Sequence, residues 1–282
     1  MAHNPQIIAH RGSAILAPEN TRDAFDLAIS FNADRLEADI RTSSDGIPVI
    51  FHDAQLDRTT NGSGYVSDYT LSELKSLDAA WHFRDSDNQS YRGRQIEILS
   101  LSELLSEYTN IPVNLDIKHP NPEFASTVAG VIQEHRPGND VLVASFHDDV
   151  VSNLRHVAPD IPTAATRDET QDLYASRRRL TRWSNFMHEF LLERENLSNN
   201  NVAGYKSLQI PTQVKFGPFT IDLTDRAFIE HVHRQNLTIG YWTINDPEEM
   251  HALAEKGADG LVTDRVDIAH KLFKNRLSTP PD

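Results

Sequence analysis

The 282-residue chain contains no cysteine, which excludes disulfide bonds, thiolate metal ligands and a cysteine nucleophile. It also lacks any run approaching the roughly 18 consecutive apolar residues of a membrane-spanning helix. Its N-terminus has no basic segment followed by a long apolar stretch. The lack of cysteine is compatible with either redox compartment, and the missing signal alone favours the cytoplasm. The lack of a long apolar run predicts no stable membrane insertion.

Positive charge is scarce, with 27 Lys and Arg residues against 41 Asp and Glu, giving a formal net charge of −14. Proteins that bind nucleic-acid backbones depend on clustered Lys and Arg, so this balance argues against a nucleic-acid partner. An anionic small-molecule substrate would need a local concentration of cations. The composition leaves homo-oligomerisation open.

Hydrophobic residues make up 39% of the chain and charged residues 24%, which is ordinary for a globular protein with a sizeable core. The length suits one large barrel, which commonly needs about 250 residues, better than two separate domains. We therefore predict one domain over residues 1–282.

Short β-rich runs alternate with helical stretches, as is typical of parallel βαβ units. The runs are QIIAH, RLEADIR, IPVIFHD, VNLDIK, VLVASF, IPTAAT, YKSLQIP, TIGYWTIN and GLVTD. RLEADIR and IPVIFHD flank the turn signal Asp45-Gly46 and are interpreted as one strand pair or bent strand, which leaves eight strand positions. The predicted fold class is α/β, a closed (β/α)8 TIM barrel.

Helix boundaries are marked at two places. Thr21 is a predicted N-cap for RDAFDLAISF after the first strand. Near the end of the chain, Asp246 is a predicted N-cap, Pro247 occupies the first helical position and Gly257 ends the helix.

Two connections are longer than barrel connections usually are. Residues 54–95 contain RTTNGSG and TLSELKSLD and are predicted to form a small insertion after the second barrel strand. Residues from about 167 to 203 are charged and helix-prone, and their run Arg177-Arg178-Arg179 is interpreted as a solvated helix face rather than an anion site.

Carboxylates follow strand alternation at two places. Glu37 and Asp39 share one face of RLEADIR, and Asp116 and Lys118 share one face of VNLDIK. Three carboxylates on neighbouring strands repel each other unless a cation lies between them, and a hard divalent ion such as Mg²⁺ or Ca²⁺ fits that position. Lys118 is interpreted as a phosphate-binding cation, with a structural ion pair as the alternative.

Histidines end two of the strand runs. His10 is followed by Arg11, and His52 is followed by Asp53, so both lie where catalytic residues of barrels gather. Imidazoles titrate near neutral pH and can move protons, while Arg11 and a metal can offset phosphoryl charge. This set of side chains suits the cleavage of a phosphodiester.

Beyond these separate features, the chain resembles the glycerophosphodiester phosphodiesterases. The likeness holds in order and spacing from residue 7 to about residue 270, and it is carried by AHRG (Ala9–Gly12), APENT (Ala17–Thr21), LEADIRTSSDGIPVIFHD (Leu36–Asp53), LDRTTNGSG (Leu56–Gly64), NLDIK (Asn114–Lys118), SF (Ser145, Phe146), YWTIN (Tyr241–Asn245) and GADGLVTD (Gly257–Asp264).

The resemblance implies a metal-dependent hydrolase on a phosphodiesterase-type barrel, acting by histidine acid–base catalysis. It assigns residues as follows: catalytic His10 and His52; phosphate or substrate contacts Arg11, Lys118 and Trp242; metal ligands Glu37, Asp39 and Asp116; supporting residues Glu19, Asn20 and Asp53. Barrel-core packing is an equal alternative for Trp242.

Asp116 departs from the family pattern, which usually has Glu at this position, and a shorter side chain shifts the geometry of a metal ligand. His119 and His147 lie beside predicted site residues and are interpreted as structural or surface residues.

Three other functions stay open at this point. A phospholipase D-like barrel acting on lysolipids or sphingolipids would use the same histidines and metal. A barrel isomerase or aldolase would not need Arg11 and Lys118 together beside the metal. A non-catalytic phosphate-binding protein would bind a phosphodiester without turnover.

Overall fold

Eight parallel strands form a closed barrel in the computed structural model, which describes residues 4–136, 138, 140–176, 204–216 and 219–274. The barrel strands, in their order around the sheet, are β1 (Gln6–Ala9), β11 (Gly260–Thr263), β10 (Thr238–Trp242), β7 (Tyr205–Pro211), β6 (Thr163–Ala164), β5 (Val141–Ala144), β4 (Val113–Ile117) and β2 (Arg35–Thr42). Strand β1 pairs with both β11 and β2, which closes the barrel. The predicted (β/α)8 fold is confirmed.

A helix follows each barrel strand, either directly or, after β2 and β7, at the end of a longer connection. These helices are α1 (Arg22–Ser30), α3 (Leu101–Glu107), α4 (Pro122–His135), α5 (Asp148–Val157), α6 (Arg167–Ser176), α7 (Arg226–Arg234), α8 (Pro247–Lys256) and α9 (Val266–Phe273). The main core lies between the sheet and this helical layer. Leu36, Ala38 and Ile40, the apolar face of β2, are fully buried in it, as strand alternation predicts.

The short strand β3 (Pro48–Ile50) pairs antiparallel with the end of β2 and lies outside the closed ring. The turn around Gly46, at φ 78°, joins the two strands. The interpretation of RLEADIR and IPVIFHD as a strand pair is therefore confirmed. Strand β3 runs back along β2, so that the Phe51 amide, just before His52, donates to the Asp39 carbonyl oxygen at 2.9 Å.

The chain after β3 forms its own small core before α3 begins. Buried side chains from β3 and from this segment pack together around the short helix α2 (Leu71–Lys75): Val49, Phe51, Leu56, Val66, Leu74, Ala79 and Ile98. This packing gives the segment a fixed shape, and its treatment as an insertion with limits at residues 54 and 95 stays a prediction.

Residues after β7 form a two-stranded antiparallel sheet that the sequence patterns did not identify, made of β8 (Gln213–Phe216) and β9 (Phe219–Asp222). Its two strands pair with each other rather than with the barrel strands, so they belong to the connection between β7 and α7. The charged stretch predicted from about 167 to 203 begins with α6, whereas Arg177–Arg179 lie outside the described residues.

The predicted helix caps are confirmed. The Thr21 side chain accepts a hydrogen bond from the Ala24 amide at the start of α1. Asp246 accepts from two amides at the start of α8, Pro247 is the first residue of that helix, and Gly257 ends it in the left-handed conformation at φ 101°. Over the described ranges, every helix is too short or too polar to cross a membrane.

Candidate active site

The predicted site residues come together at one end of the barrel. His10 follows β1, Glu37 and Asp39 lie on β2, and Asp116 lies on β4. Strands β2 and β4 are parallel and pair in a register that places Asp39 directly beside Asp116. Because the carboxyl ends of parallel strands meet at one edge, residues far apart in the sequence converge here.

A left-handed turn after β1 places Arg11. Its φ is 51°, and its amide donates a hydrogen bond of 2.8 Å to Glu37 Oε2. The next residue, Gly12, has φ 79° and lies so close to α1 that an added Cβ would be 2.7 Å from Ala24 Cβ. Only glycine fits at this position, which explains the Gly of the AHRG motif.

Asp39 is the most enclosed carboxylate of the site, at 1% exposure. Asn20 Nδ2 donates to its Oδ2 at 2.9 Å, and Arg11 Nε lies 3.2 Å from the same oxygen. Lys118 Nζ lies 3.2 Å from Oδ1. Burial opposes ionisation, but the charges of Lys118 and Arg11 hold the pKa of Asp39 below its usual value.

Lys118 also binds Asp116, with Nζ 2.6 Å from Oδ2. The structural ion pair considered for Lys118 is therefore present, and it leaves the lysine next to two carboxylates. Burial raises the pKa of Asp116 despite this contact, since Asp116 lacks the second cation that Asp39 has in Arg11. Burial and the charge of Asp39 raise the pKa of Glu37 to about 7.

The donor chemistry of these carboxylates fits a hard divalent cation. Buried Oδ1 atoms of Asp39 and Asp116 accept no hydrogen bond, although Lys118 is near the first. Among the described residues, no group of three or more His, Asp or Glu side chains is arranged as a ready-made metal site. The residues therefore fit a metal by type and burial, while their charge is at present balanced by Arg11 and Lys118.

His10 is held by Asp264, the residue directly after β11. His10 Nδ1 lies 2.7 Å from Asp264 Oδ1, and Asn245 Nδ2 donates to the other oxygen at 2.9 Å. With Nδ1–H donating to the carboxylate, Nε2 is the atom left for proton transfer. Burial works against it, but the hydrogen bond to Asp264 and the charge of Glu37 raise the pKa of His10 above its usual value.

His52 has a carboxylate partner in the next residue, with its Nδ1 2.6 Å from Asp53 Oδ1. Asp53 is bound in turn by Arg58, which also binds Glu19. Burial opposes it, but hydrogen bonds from Arg58 and His52 lower the pKa of Asp53 to about 2. The supporting contact predicted for Asp53 is present.

Arg41, on β2, binds the backbone just after β3 and just after β4. Its Nε donates to the His52 carbonyl oxygen at 2.8 Å and its Nη1 to the Lys118 carbonyl oxygen at 2.9 Å. A cleft of about 460 Å³ opens beside it, lined by Arg41, His52, Asp53, Ala54, Gln55, Asp57, Arg58 and Tyr65. His52 therefore borders a space large enough for part of a small substrate.

Trp242 lies at the rim rather than in the barrel core. Its indole N–H donates to the Gln209 carbonyl oxygen at 2.9 Å, and its ring meets Phe146 edge to face at 5.8 Å. Phe146 is 57% exposed, and its ring lies 5.3 Å from Lys118 Nζ. These two rings form an aromatic wall beside the lysine.

Glu19 contacts Arg11, and Asn20 contacts Asp39, and their supporting role stays a prediction. His119 packs its ring edge against Phe124, in line with its interpretation as a structural residue. His147 is half-buried at the start of α5, where its amide donates to the Ser145 hydroxyl.

Sequence reasoning missed Asp264, Asn245, Arg41 and Arg58. Asp264 directly follows a barrel strand, as His10 does, and Arg41 continues the Glu37–Asp39 alternation, so both carried a usable signal. Arg58 belongs to an irregular loop, where neither rule applies.

Comparison with known proteins places these observations in a family. Residues 10–268 match the model of the glycerophosphoryl diester phosphodiesterase family. The Bacillus subtilis protein YhdW is 32% identical over 269 residues, which cover 94% of this chain and 96% of that protein.

A glycerophosphodiester phosphodiesterase of Caldanaerobacter subterraneus is 28% identical, with 92% of this chain and 93% of that protein covered. Among solved structures, an Oleispira antarctica phosphodiesterase in complex with the product sn-glycerol-3-phosphate is 25% identical, with a TM-score of 0.70 and 98% and 97% of the two chains covered.

Proposed function

Because the chain belongs to the glycerophosphoryl diester phosphodiesterase family, we propose that it hydrolyses glycerophosphodiesters to glycerol 3-phosphate and an alcohol. The observation that supports this most directly is the convergence of two histidine–carboxylate pairs with Arg11 and Lys118 at one end of the barrel. The product bound to the Oleispira relative is the expected product of this reaction.

Arg11 and Lys118 bind the phosphodiester in this proposal. Both cations are partly buried against carboxylates, so an incoming phosphate meets positive charge that is already fixed in place. Charge-assisted hydrogen bonds from a guanidinium suit a phosphate with two accessible oxygens. The chain has a net charge of −14, and Arg11 and Lys118 are themselves paired with carboxylates, so a divalent cation at the site would supply the further positive charge that attracts an anion.

His10 and His52 move the protons. One imidazole accepts a proton from the water whose oxygen attacks phosphorus, and the other gives a proton to the alkoxide as its bond to phosphorus breaks. Each ring has its Nδ1 held by a carboxylate, Asp264 or Asp53, so that Nε2 is the nitrogen left to exchange a proton. The Asp264 carboxylate also stabilises the His10 imidazolium.

Glu37, Asp39 and Asp116 would hold a divalent cation, Mg²⁺ or Ca²⁺. Bound there, the cation would offset charge on the phosphoryl oxygens. The support for this part is the hard-oxygen donor set and the two buried carboxylate oxygens without a hydrogen bond. Asp116 is shorter than a glutamate, which shifts the position of its oxygen.

The decisive test is the release of glycerol 3-phosphate from several glycerophosphodiesters by the wild type, by the wild type with EDTA, and by His10→Ala. We expect turnover that EDTA abolishes and that Mg²⁺ or Ca²⁺ restores. Turnover unaffected by both EDTA and the substitution would disprove the mechanism, and the same assay on lysophospholipids separates a phospholipase D-like preference.

Metal binding is tested without turnover by calorimetric titration of Mg²⁺ and of Ca²⁺ into the wild type and into Asp39→Asn. We expect binding to the wild type and its loss in the variant, because Asp39 is the most buried of the three carboxylates. Equal binding by both proteins would remove Asp39 from the metal site.

A further inference from the structure

One guanidinium group connects the two halves of the candidate site. Arg58 Nη1 and Nη2 each lie 2.7 Å from an oxygen of Glu19, and its Nε and Nη2 lie 2.6 Å and 3.2 Å from the two oxygens of Asp53. Four hydrogen bonds thus bind two carboxylates at once, which uses the planar fork of arginine almost completely.

Both carboxylates lead on to residues of the proposed mechanism. Asp53 binds His52 Nδ1 at 2.6 Å, and Glu19 Oε1 accepts from Arg11 Nη1 at 3.0 Å. A continuous series of contacts therefore joins His52 to Arg11. Between them lie Asp53, Arg58 and Glu19, in which a cation separates two carboxylates. A proposed proton-transfer group and a proposed phosphate-binding group are thus linked through one residue, which also lines the cleft beside His52.

The loop that carries Arg58 is held by hydrogen bonds and by close packing. Thr60, at 1% exposure, donates to the Leu56 carbonyl oxygen at 2.9 Å and accepts from the Gly62 amide at 2.9 Å. Leu56 is fully buried in the small second core. An added Cβ on Gly62 would lie 2.8 Å from Leu77, so the loop packs closely against the chain that follows it.

We propose that Arg58 is a positioning residue for catalysis, holding His52 through Asp53 and Arg11 through Glu19 so that the two act on one phosphate. This inference rests on the proposed function. The alternative is an ordinary surface ion pair, since the Arg58 side chain is 48% exposed and exposed pairs contribute little. The double bidentate geometry and the identity of both partners favour positioning.

The test compares kcat and KM for Arg58→Gln with those of two other variants. One removes the Asp53 contact to His52, and the other removes the Glu19 contact to Arg11. Asp53→Asn should mainly lower kcat, because it releases His52. Glu19→Gln should mainly raise KM, because it releases Arg11. Arg58→Gln should do both, each by about tenfold, as expected when a residue behind the reacting groups is lost.

The double variant Arg58→Gln/Asp53→Asn should have the same kcat as Asp53→Asn alone, because Arg58 reaches His52 only through Asp53. Arg58→Lys keeps the charge but cannot bind two carboxylates bidentately, so it should be impaired as well. Arg92→Gln is the matched control: it removes an exposed arginine that lies over the Trp81 ring in the same segment, and should leave kcat, KM and the melting temperature unchanged.

Each outcome decides the inference. If the wild type releases glycerol 3-phosphate and Arg58→Gln stays within about twofold of it in kcat and KM, Arg58 is a surface ion pair and the inference is wrong while the proposed function stands. Full activity in Arg58→Lys would show that charge alone suffices and would also overturn it. A wild type without turnover overturns the proposed function, and this role with it.

Discussion

The two histidines of the candidate site have the same kind of partner but are built by different parts of the molecule. His10 binds Asp264, which is 254 residues away and directly follows the strand that pairs with β1 to close the barrel. His52 binds Asp53, its neighbour in the sequence, and Asp53 is fixed by Arg58 from the loop after β3.

The surroundings differ accordingly. The side chains of His10 and Asp264 are 19% and 14% exposed, against 29% and 27% for His52 and Asp53. Backbone hydrogen bonds of adjacent barrel strands fix the first pair, whereas side-chain hydrogen bonds in a loop fix the second. Barrel closure thus positions one histidine–carboxylate pair, and the chain after β3 positions the other, next to the cleft.

The largest effects should come from removing either imidazole. We expect His10→Ala and His52→Ala each to lower kcat by about 100- to 10,000-fold, the usual contribution of a general acid or base. Equal losses would show that the two sites share the proton transfers despite their different construction.

His233 offers the matched control for these substitutions. It forms a similar pair, with Nε2 2.8 Å from Asp259 Oδ2, but Asp259 precedes β11 and therefore lies at the opposite end of the barrel from Asp264. His233→Ala should retain activity. A loss matching that of His10→Ala would mean that the assay reports folding rather than chemistry.

Intermediate effects on kcat are expected from changing the carboxylates that bind the two histidines, Asp264 and Asp53. Asp264→Asn should lower kcat by about 10- to 100-fold, because an amide no longer fixes the tautomer of His10. Asp53→Asn should cost less, because water can reach the more exposed His52 and replace part of the contact. The measurement is kcat at saturating substrate. A larger loss for Asp53→Asn than for Asp264→Asn would contradict the expectation that His10 depends more on its carboxylate than His52 does.

The smallest effect should be a pH dependence of stability. The pKa of His10 is raised in the folded protein, so the stabilisation from its pair with Asp264 is complete below the ordinary value of 6.5 and is lost as pH rises through the raised pKa. The melting temperature of the wild type should exceed that of His10→Gln by more at about pH 5.5 than at about pH 8.5. A difference independent of pH would show that the pair contributes packing only.

Much of this comparison was readable from the sequence. Strand alternation placed Glu37 with Asp39, and Asp116 with Lys118. The rule that barrel strands end at the active site holds for His10, which follows β1, whereas His52 follows β3, an antiparallel strand outside the ring. Capping patterns identified the start of α1 at Thr21. The hairpin β8–β9 was missed because short, locally paired strands within a connection have no helix between them to mark the alternation.

The sequence by itself determined which side chains share a face of a strand, where α1 begins, where α8 begins and ends, and that one barrel would form. These follow from geometry within a few residues, where the chain has little freedom. The order of its motifs also determined the family.

Only the tertiary structure decided which partners those side chains have. Barrel closure brings Asp264 to His10, and the packing of a loop against its own small core brings Arg58 to Asp53 and Glu19. Both sets of contacts join segments that no periodic pattern in the sequence relates to each other. The electrostatic environment of each histidine therefore appeared only after the fold had placed its carboxylate.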